Sequence, residues 1–407
     1  MRILFLSHYF PPEVNAPAVR TFEHCREWVR AGHEVHVVTC VPNHPQGKVY
    51  DGYRRRLAMQ HETMEGIHAH RVWTYVAANK GFLKRTLGYI SYMLSAPLAA
   101  LKIPRPDVIV ATSPQFFCAC AGFLTSKLVR RPWVFEVRDL WPDSIVAVGA
   151  LRNRSIIKLL EAVELALYHD ADRIVAVTDA TRANLVARGV PAAKVDVVPN
   201  GISLESWDGA DARSARLELG LDSRFVVSYV GTHGMAHNLE TLLEAAEILR
   251  DEPAVHFLTV GDGAELDKLR RRRRERRLDN VTMVGQVPHE TAKAYLRACD
   301  VSVILLRKAD LFRTVLPSKI FEAMAVRKPI ILGVDGEARR LVEQEQAGVC
   351  IEPENPQQLA DAILRLKSDR GLCHRLGRNG RRALQERFDR KVLAERMLKI
   401  VSAAGRC

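Results

Sequence analysis

The sequence predicts an α/β protein made of two doubly wound parallel-sheet domains. The chain has 407 residues, which exceeds the size at which one hydrophobic core keeps growing, so two domains are expected. Short apolar runs rich in β-branched residues alternate with segments of helical period, as in βα units whose strands are buried on both faces. The alternation restarts near Phe225 after a loop-like stretch, which indicates a second sheet.

Each half of the chain supplies its own series of strands. Between the first two predicted strands, apolar residues recur at helical spacing and Gly32 occupies a C-cap position, so the chain opens with a βαβ unit. Ligands are expected outside the carboxyl ends of such strands. The predicted strands are Ile3–Ser7, Val35–Thr39, Val108–Thr112, Trp133–Val137, Ile174–Val177 and Val195–Val198 in the first half, and Phe225–Val230, Val255–Val260, Val281–Val284, Val301–Leu306, Pro329–Leu332 and Val349–Ile351 in the second.

The net charge and the distribution of cysteines indicate which partners and which cellular compartment to expect. A formal net charge of +13 favours anionic partners, which include nucleic acid, phospholipid head groups and phosphate-bearing substrates. The 8 cysteines are scattered without a Cys-x-x-Cys pair, which fits a reducing cytoplasm. The segment Arg2–Ser7 is too short for the core of a signal peptide and is predicted to be a strand. A cytoplasmic location is therefore expected.

One apolar stretch raises the question of a membrane. It runs from Leu87 to Ile103, follows Lys80, Lys84 and Arg85, and contains Pro97. Spanning a bilayer takes about 20 apolar residues, so a helix lying on an anionic inner-membrane surface and a helix packed in the domain core are both compatible with the pattern.

Three glycine-containing turns follow strands of the second half. In Val230–Leu239, Gly231, His233 and Gly234 lie between a strand and a helix, where backbone N–H groups can face a phosphate. Gly263 ends a similar turn in Val260–Gly263, and Gln286 follows Gly285 at another strand end. Each turn is also compatible with an ordinary loop.

The segment Leu316–Ala325 carries the most information. Pro317 and Ser318 suit the start of a helix, which puts Lys319 in its first turn, where a cation is electrostatically misplaced. An anionic ligand explains Lys319 better than helix stability does. Glu322 lies one turn further on, where its carboxylate can accept hydrogen bonds from two ribose hydroxyls. A solvated lysine and glutamate are the alternative.

With these motifs the chain resembles glycosyltransferase family 4, the group 1 glycosyl transferases with the GT-B fold. The resemblance extends over nearly the whole chain, and within the family the segments Leu316–Glu322 and Asp139–Asp143 are similar to the O-antigen N-acetyl-L-fucosamine transferase branch. The matching motifs, in order, are Phe10–Glu13, Gly32–Val35, Val198–Ile202, Val260–Gly263 and Phe321–Ala325 followed by Lys328–Pro329.

The resemblance implies two Rossmann-like domains facing across a cleft. Residues 1–203 would bind the acceptor, residues 204–385 would bind a nucleoside-diphosphate sugar, most simply a UDP-sugar, and residues 386–407 would form a helix that crosses back to the first domain. It further implies retaining transfer without a cofactor or a metal ion, to a lipid-linked or oligosaccharide acceptor of a surface polysaccharide. Nucleic acid is not an expected partner.

Site roles are carried over residue by residue. Glu322 would bind the ribose, with Ser318 beside it, and Gly263 and Gln286 would line the nucleoside site. Gly231, His233 and Gly234 would approach the diphosphate.

The sequence departs from the family pattern at several positions. The first of two paired glutamates falls at Thr314, and an arginine and a lysine after the first strand of the second domain are replaced by His237 and Asn238 nearby. In the first domain Arg138 stands in place of a histidine before Asp139, and Asn15 and Ala16 replace a glycine pair.

A catalytic hypothesis follows from the leaving group. A departing nucleoside diphosphate needs positive charge near its oxygens more than it needs a strong acid. We expect Lys319, with Arg313 or Arg307, to supply that charge. Asp139, preceded by Arg138, is the candidate for positioning the acceptor hydroxyl, with a capping role as the alternative.

Three further motifs of the sequence have weaker functional signals, and two other functions are compatible with it. Asp170 and Asp172 have the spacing of a metal-binding carboxylate pair, but they precede a strand instead of following one. His68 and His70 could bind a metal ion from one strand face, but they lack a third ligand. The basic run Arg270–Arg277 is expected to be a solvated helix face. A GT-B-fold UDP-sugar 2-epimerase and a non-catalytic membrane-surface scaffold are the alternatives to transfer.

Overall fold

The structure is a computed structural model, and it describes residues 1–76, 82–142, 153–207 and 212–406. Lys80, Asp143, Asp208, Gly209 and Cys407 lie outside these ranges. The chain divides into two compact units, Met1–Pro199 with Arg390–Cys407, and Asn200–Asp389. The first boundary thus follows Pro199 instead of residue 203.

The first unit contains an eight-stranded sheet in the order β3-β4-β2-β1-β5-β6-β7-β8. All neighbours pair in parallel except β3 and β4. Buried β-branched and apolar side chains fill both faces of its central strands, as expected for a sheet covered on both sides. The strands are β1 Arg2–Leu6, β2 Glu34–Cys40, β3 Gln60–Met64, β4 Ile67–Val72, β5 Val108–Thr112, β6 Trp133–Val137, β7 Arg173–Ala176 and β8 Val195–Val197.

The strands β3 and β4 form an antiparallel hairpin, so the first sheet is not wholly parallel. The sequence analysis did not predict this hairpin. Its two-residue turn has positive φ at both positions, 47° at Glu65 and 83° at Gly66, the geometry of a tight hairpin turn. The strand β3 is mostly polar, and two of its five residues are exposed, so a search for apolar runs did not find it. The antiparallel strand ends the sheet at an edge.

Six α-helices cover this sheet within the described ranges: α1 Ala16–Arg30, α2 Phe82–Ala100, α3 Phe116–Val129, α4 Arg154–Asp170, α5 Asp179–Ala187 and α14 Arg390–Ala404. Asn15, one of the departures from the family pattern, is the N-cap of α1 and accepts the amide of Ala18 at 3.0 Å. The C-terminal helix packs on α1, where Trp28 Nε1 donates to the carbonyl of Ala394 at 2.9 Å. No helix in these ranges is long and apolar enough to cross a bilayer.

The second unit contains a six-stranded parallel sheet in the order β11-β10-β9-β12-β13-β14. Its strands are β9 Phe225–Val230, β10 Val255–Val260, β11 Val281–Gly285, β12 Val301–Leu305, β13 Ile330–Gly333 and β14 Gly348–Cys350. The strand order reverses between β9 and β12, and ligands bind at such a switch point in open α/β sheets. Two parallel-sheet α/β units confirm the predicted fold class.

Helices lie on both faces of the second sheet. They are α6 Ala212–Glu218, α7 Glu240–Ile248, α8 Leu266–Glu275, α9 His289–Ala298, α10 Ser318–Ala325, α11 Glu337–Gln344, α12 Pro356–Ser368 and α13 Arg370–Ala383. Helix α10 begins at Ser318 with Pro317 as N-cap. One of its faces is buried in the core by Ile320, Phe321 and Met324, so Lys319 is held at the carboxyl edge of the sheet.

Candidate active site

Glycine lets three chain segments meet at the carboxyl edge of the second sheet. Gly231, after β9, has a φ of 137°, and Gly261, after β10, has a φ of 133°. A Cβ added to Gly231 would lie 2.2 Å from Cε of Lys319, and one added to Gly261 would lie 2.0 Å from the carbonyl oxygen of Gly231. Any other residue would be strained at both positions, and at Gly261 it would also collide with the backbone of Gly231, so the two turns depend on these glycines.

Lys319 is a cation that has no protein anion directly bonded to it. Its Nζ lies 4.9 Å from the ring centroid of Tyr229, a distance at which an aromatic face attracts a cation. Within the described part of the chain its ammonium makes no hydrogen bond and no ion pair. Burial lowers the pKa of Lys319, and the nearby Glu322 carboxylate opposes that shift. The group is therefore available to an anionic ligand.

Glu322 lies one turn along α10 from Lys319. Its Oε1 accepts a hydrogen bond from Ser318 Oγ at 3.2 Å. Burial raises the pKa of the Glu322 carboxyl, while Lys319 and the Ser318 hydroxyl act in the opposite direction. A half-buried carboxylate with spare acceptor capacity suits a ligand that carries adjacent hydroxyl donors.

These groups open into a cavity of about 300 Å³, which we call the Lys319 cavity. Its volume is at the lower end of the range of small-molecule sites, about 300 to 1,000 Å³. Of the residues predicted for the donor site, it is lined by Gly231, Gln286, Ser318, Lys319 and Glu322, and its other walls come from Trp207, Val230, Thr232, Val260, Gly261, Val287, His289, Ala292 and Lys293.

The other residues predicted for the donor site, His233, Gly234 and Gly263, do not line the Lys319 cavity. His233 is 0% exposed, and its Nδ1 lies 3.0 Å from the carbonyl oxygen of Gly231, so the ring supports the turn instead of facing the cavity. Gly263 backs onto His233, because a Cβ there would lie 2.6 Å from the His233 carbonyl oxygen. Gly234 is the N-cap of the short 3₁₀ turn Met235–His237. The expectation that the His233 side chain approaches a ligand does not match this placement.

The predicted cationic cluster is divided between two cavities. Arg313 and Arg307 line a second cavity of about 190 Å³ over the other half of the same sheet edge. Arg313 is exposed and forms an ion pair with Asp310 at 3.6 Å. The structure does not bring either arginine to Lys319: Arg307 lies just after β12, Arg313 lies in the 3₁₀ turn Asp310–Thr314, and both line the second cavity.

Sequence reasoning missed Lys293, a second lysine of the Lys319 cavity. Lys293 is 5% exposed. Its Nζ donates hydrogen bonds to Glu290 Oε1, at 2.8 Å, and to the carbonyl of Ser206. Its Nζ also lies 5.5 Å from the ring centroid of Trp207. The spacing of Glu290 and Lys293 on α9 is typical of a solvated helix pair, so no local signal marks Lys293 as part of a site.

Arg138 and Asp139 follow β6 in the first unit. Their backbone amides donate to Ser113 Oγ at 2.7 and 3.3 Å. Nε and Nη1 of Arg138 are buried without a hydrogen-bond partner among the described residues, and burial lowers its pKa to about 10, against the effect of Glu136. The surrounding protein raises the pKa of the Asp139 carboxyl, although this residue is at the surface. The pair thus places a guanidinium with two unpartnered nitrogen atoms next to a carboxyl group whose pKa is raised.

The acidic pair Asp170 and Asp172 has a structural role. Asp172 accepts the backbone amide of Trp133 at 2.8 Å, and Asp170 accepts its indole N–H at 3.0 Å. Both bonds fix the start of β6 against the end of α4.

The histidines of β4 have neighbours that the sequence did not reveal. His70 Nε2 lies 3.0 Å from His36 Nδ1 on β2, and His61 of β3 and His68 complete a stacked group. We call these four residues the histidine cluster. No set of three or more histidine, cysteine or carboxylate side chains in the described ranges has the arrangement of a metal site.

The basic run on α8 pairs with acidic residues of its own unit. Arg272 and Arg276 both contact Glu240, and Arg276 also contacts Glu247 at 3.2 Å. These pairs agree with the expected solvated helix face.

Comparisons with known proteins bear on both units. A family model described as glycosyl transferase 4-like domain matches residues 15–201, and one described as glycosyl transferases group 1 matches residues 213–383. The two matches fall in the two compact units. The chain is thus a glycosyltransferase of the GT-B type and belongs to the group 1 glycosyl transferases.

Two relatives and two solved structures illustrate the similarity. WcaI of Escherichia coli K12, named for colanic acid biosynthesis, is 29% identical over 89% of this chain and 91% of its own length. WbjE of Pseudomonas aeruginosa, named as a glycosyltransferase, is 26% identical over 69% of this chain and 71% of its own length.

The solved structures agree in fold. A sucrose-phosphate synthase from Thermosynechococcus elongatus has a TM-score of 0.74 at 21% identity, covering 99% of this chain and 98% of its own. Anabaena HepE in complex with UDP-glucose has a TM-score of 0.70 at 19% identity, covering 99% and 100%.

Proposed function

We propose that this enzyme transfers a sugar from a nucleoside-diphosphate sugar to a growing glycan in bacterial surface polysaccharide biosynthesis. The observation that carries the proposal is Lys319, a cation without a bonded protein anion, in a cavity of about 300 Å³. The name of WcaI, which refers to colanic acid biosynthesis, supports the class of pathway. The lipopolysaccharide glycosyltransferase WaaG, with a TM-score of 0.67, shares the fold.

The donor is proposed to be a UDP-sugar. Anabaena HepE, which has the same fold, is in complex with UDP-glucose. In this chain the main chain near Gly231 would face the diphosphate, Glu322 the ribose, and Gln286 the nucleoside. The resemblance to the N-acetylfucosamine transferase branch favours an N-acetylated deoxysugar as the group transferred, within an O-antigen or capsule.

Catalysis follows from the charge that develops during transfer. As the glycosidic bond to the diphosphate breaks, negative charge grows on the departing phosphate oxygens, and a preorganised cation stabilises it. Lys319 supplies that cation in our proposal, so the reaction needs no metal ion. Asp139 would orient the acceptor hydroxyl, with Arg138 beside it. Transfer is proposed to retain the anomeric configuration, as the resemblance implies.

The test is a panel of UDP-, GDP- and dTDP-sugars, screened first by thermal stabilisation. A ligand that binds only the folded protein raises the melting temperature, by an amount equivalent to about 2.7 kcal/mol at 100 times its Kd. We expect UDP-sugars to stabilise the protein and GDP-sugars not to. No stabilisation by any member of the panel would contradict the proposal.

Product analysis then separates transfer from epimerisation. The best donor is incubated without acceptor, and the nucleotide sugar is examined by NMR. The proposal predicts slow release of UDP and unchanged stereochemistry at carbon 2 of the remaining donor. An epimerised nucleotide sugar formed without acceptor would overturn it in favour of a 2-epimerase.

We also propose that α2 contacts an anionic inner-membrane surface from the cytoplasmic side. Leu87, Leu94 and Leu98 are all more than half exposed, and with 3.6 residues per turn they fall within about 40° of one another around the helix axis. Leu101, which directly follows the helix, is also more than half exposed. Lys102 and Arg105 follow the stripe and are also exposed. An exposed apolar stripe beside basic side chains suits the boundary of head groups and acyl chains.

Vesicle sedimentation tests this contact. We expect retention on vesicles of 30% phosphatidylglycerol at low salt, release at high salt, and loss of retention in Leu94→Gln/Leu98→Gln. A control double variant, Leu217→Gln on α6 with Ile248→Gln on α7, changes exposed apolar residues of the second unit and should keep wild-type retention. Equal retention of both double variants would contradict the contact.

A further inference from the structure

Tyr229 is the second-last residue of β9, and its ring faces the ammonium group of Lys319. The side chain is 0% exposed and belongs to the core that the second sheet shares with α7 and α12. The Nζ of Lys319 lies 4.9 Å from the centroid of the ring, which is within the range of about 6 Å for a cation–π interaction. A tyrosine in a buried strand is typical of a core residue, so no pattern in the sequence indicates this contact.

The hydroxyl of Tyr229 contacts the glycine turn that follows the strand. It donates a hydrogen bond to the carbonyl of Thr232 at 2.7 Å. The amides of Gly231 and His233 also donate hydrogen bonds from this turn, at 2.8 and 2.9 Å, to carbonyls of β10 and of the loop after it. The turn is therefore held by other bonds besides the one from Tyr229, and loss of the hydroxyl alone should leave it in place.

Two histidines of the segment after β9, His233 and His237, pack their rings against Tyr229. Their centroids lie 5.6 and 6.0 Å from that of Tyr229, with angles of 83° and 67° between the ring planes, which is an edge-to-face arrangement. Burial lowers the pKa of both histidines, and the charge of Lys319 acts in the same direction. Near neutral pH the two rings therefore surround Tyr229 without adding charge next to the ammonium.

Glu322 is the obvious alternative partner of Lys319. It follows Lys319 by three residues on α10, a spacing at which opposite charges on a helix commonly pair. In the described part of the chain, however, the ammonium forms no ion pair, and Glu322 Oε1 accepts a hydrogen bond from Ser318 Oγ at 3.2 Å. An ion pair with Glu322 would neutralise the lysine before a ligand arrives. The contact with Tyr229 keeps these two groups apart.

The main chain at Gly231 also limits the position of Lys319. A Cβ added to Gly231 would lie 2.2 Å from Cε and 2.9 Å from Nζ of the lysine. The end of the Lys319 side chain therefore runs directly past the backbone of the turn, and it reaches the ring of Tyr229 because residue 231 has no side chain. The ring and the main chain together define where the ammonium lies.

We propose that Tyr229 is a positioning residue: its aromatic face holds the ammonium of Lys319 toward the diphosphate of the donor and away from Glu322. The inference rests on the proposed function, in which Lys319 neutralises the departing diphosphate. It adds a residue that acts through Lys319 and need not touch the substrate. Without the aromatic face, Lys319 should turn toward Glu322, which would leave less positive charge for the diphosphate.

Calorimetry with UDP and with uridine tests this role in two variants of the same residue. Tyr229→Phe keeps the aromatic face and loses only the hydroxyl, whereas Tyr229→Leu keeps a buried apolar side chain and loses the face. We expect UDP affinity to fall about three- to tenfold in Tyr229→Leu, the effect of losing one partly desolvated cation–π interaction, and to stay within about twofold of wild type in Tyr229→Phe. Uridine should bind alike to all three proteins.

Phe257→Leu is the matched control for the loss of a buried aromatic ring. Phe257 is 0% exposed and lies on β10 in the same core as Tyr229. Both leucine variants should have a lower free energy of unfolding in chemical denaturation, because each leaves space in the core. UDP binding should be weakened in Tyr229→Leu and unchanged in the control. An equal loss of UDP affinity in the control would show that Tyr229 acts on the core and would overturn the proposal.

A double-mutant cycle shows whether Tyr229 acts through Lys319. If it does, Tyr229→Leu should cost no further UDP affinity once Lys319→Met is present, so the two effects should not add. A further loss as large as the one in the wild-type background would overturn the proposal, as would an equal loss in Tyr229→Phe and Tyr229→Leu. Full UDP affinity in Tyr229→Leu would overturn it too.

NMR of ¹³C-labelled lysine detects the contact without a nucleotide. The Cε methylene signal of Lys319, identified by its absence from Lys319→Met, should carry a ring-current shift in wild type and in Tyr229→Phe and should lose it in Tyr229→Leu. An unshifted signal in wild type would overturn the proposal and leave the transfer reaction untouched. If the shift is present but wild type does not bind UDP, the proposed function fails, whereas the contact between Tyr229 and Lys319 stands.

Discussion

Two cations, Arg20 in the first unit and Lys319 in the second, are treated in opposite ways. In the first unit Arg20 and Glu136, each 2% exposed, form an ion pair at 2.8 Å, and Arg20 also donates to the carbonyls of Val198 and Pro199. In the second unit Lys319 is partly buried without a bonded anion. Burying an unpaired charge raises the free energy of the folded protein. A ligand that brings the missing anion would offset this effect at Lys319. We infer that the paired Arg20 serves the fold and that the unpaired Lys319 serves the reaction.

The largest expected effect comes from breaking the paired side of this comparison. Arg20→Met leaves Glu136 buried without its cation, and removing one partner of such a pair costs about 3 to 5 kcal/mol. Chemical denaturation should show this loss in the free energy of unfolding. UDP affinity, measured under conditions where the variant is folded, should match wild type. A loss below about 1 kcal/mol would contradict a structural role for the pair.

A slightly smaller effect, on activity instead of stability, is expected for Lys319→Met. Removing a group that stabilises developing charge lowers turnover about 10² to 10³-fold. The free energy of unfolding should be unchanged or higher, because a desolvated cation is lost. Lys268→Met, which removes a lysine paired with Glu265 on the surface of α8, is the matched control. Turnover within twofold of wild type in the Lys319 variant would be incompatible with the account.

The smallest effect is expected for the histidine cluster, in which the pKa values of two buried imidazoles, His36 and His70, are lowered. Burial, followed by the neighbouring His36, His61 and His68, lowers the pKa of His70 to about 4. Burial also lowers the pKa of His36, although Glu34 opposes this shift and Arg2 adds to it.

The melting temperature as a function of pH tests the effect of the histidine cluster on stability. The unfolded state, with a pKa near 6.5, binds the proton more readily than the folded state, so stability falls as the pH drops from about 6.5 to 4. We expect the melting temperature to fall across this window, and less steeply in His70→Gln. His374→Gln, which alters a surface histidine of α13, should follow the wild-type profile. Identical profiles for His70→Gln and wild type would exclude the cluster as the cause.

The sequence predicted the fold well because the strands are apolar and the helices have strong start and stop signals. The bounds of Val108–Thr112, Trp133–Val137, Phe225–Val230 and Val255–Val260 agree with the structure. The hairpin of β3 and β4 was missed because its outer strand is polar.

The site was predictable only where local rules are broken. Lys319 stood out because a cation in the first turn of a helix is misplaced, and Gly231 because it follows a strand. Lys293 and Tyr229 follow ordinary patterns, and only tertiary contacts bring them to the Lys319 cavity and to Lys319 itself. Arg313 was assigned to the wrong cavity because sequence proximity to Lys319 does not give the direction of the intervening turn.

The central claim is that Lys319 neutralises the diphosphate of the donor. Calorimetry with UDP and with uridine, on wild type and Lys319→Met, tests it most directly, because the two ligands differ only in the charged group. If Lys319 neutralises the diphosphate, the variant should lose UDP affinity at least tenfold and should bind uridine as wild type does. Equal affinity of both proteins for UDP, or an equal loss for UDP and uridine, would contradict it.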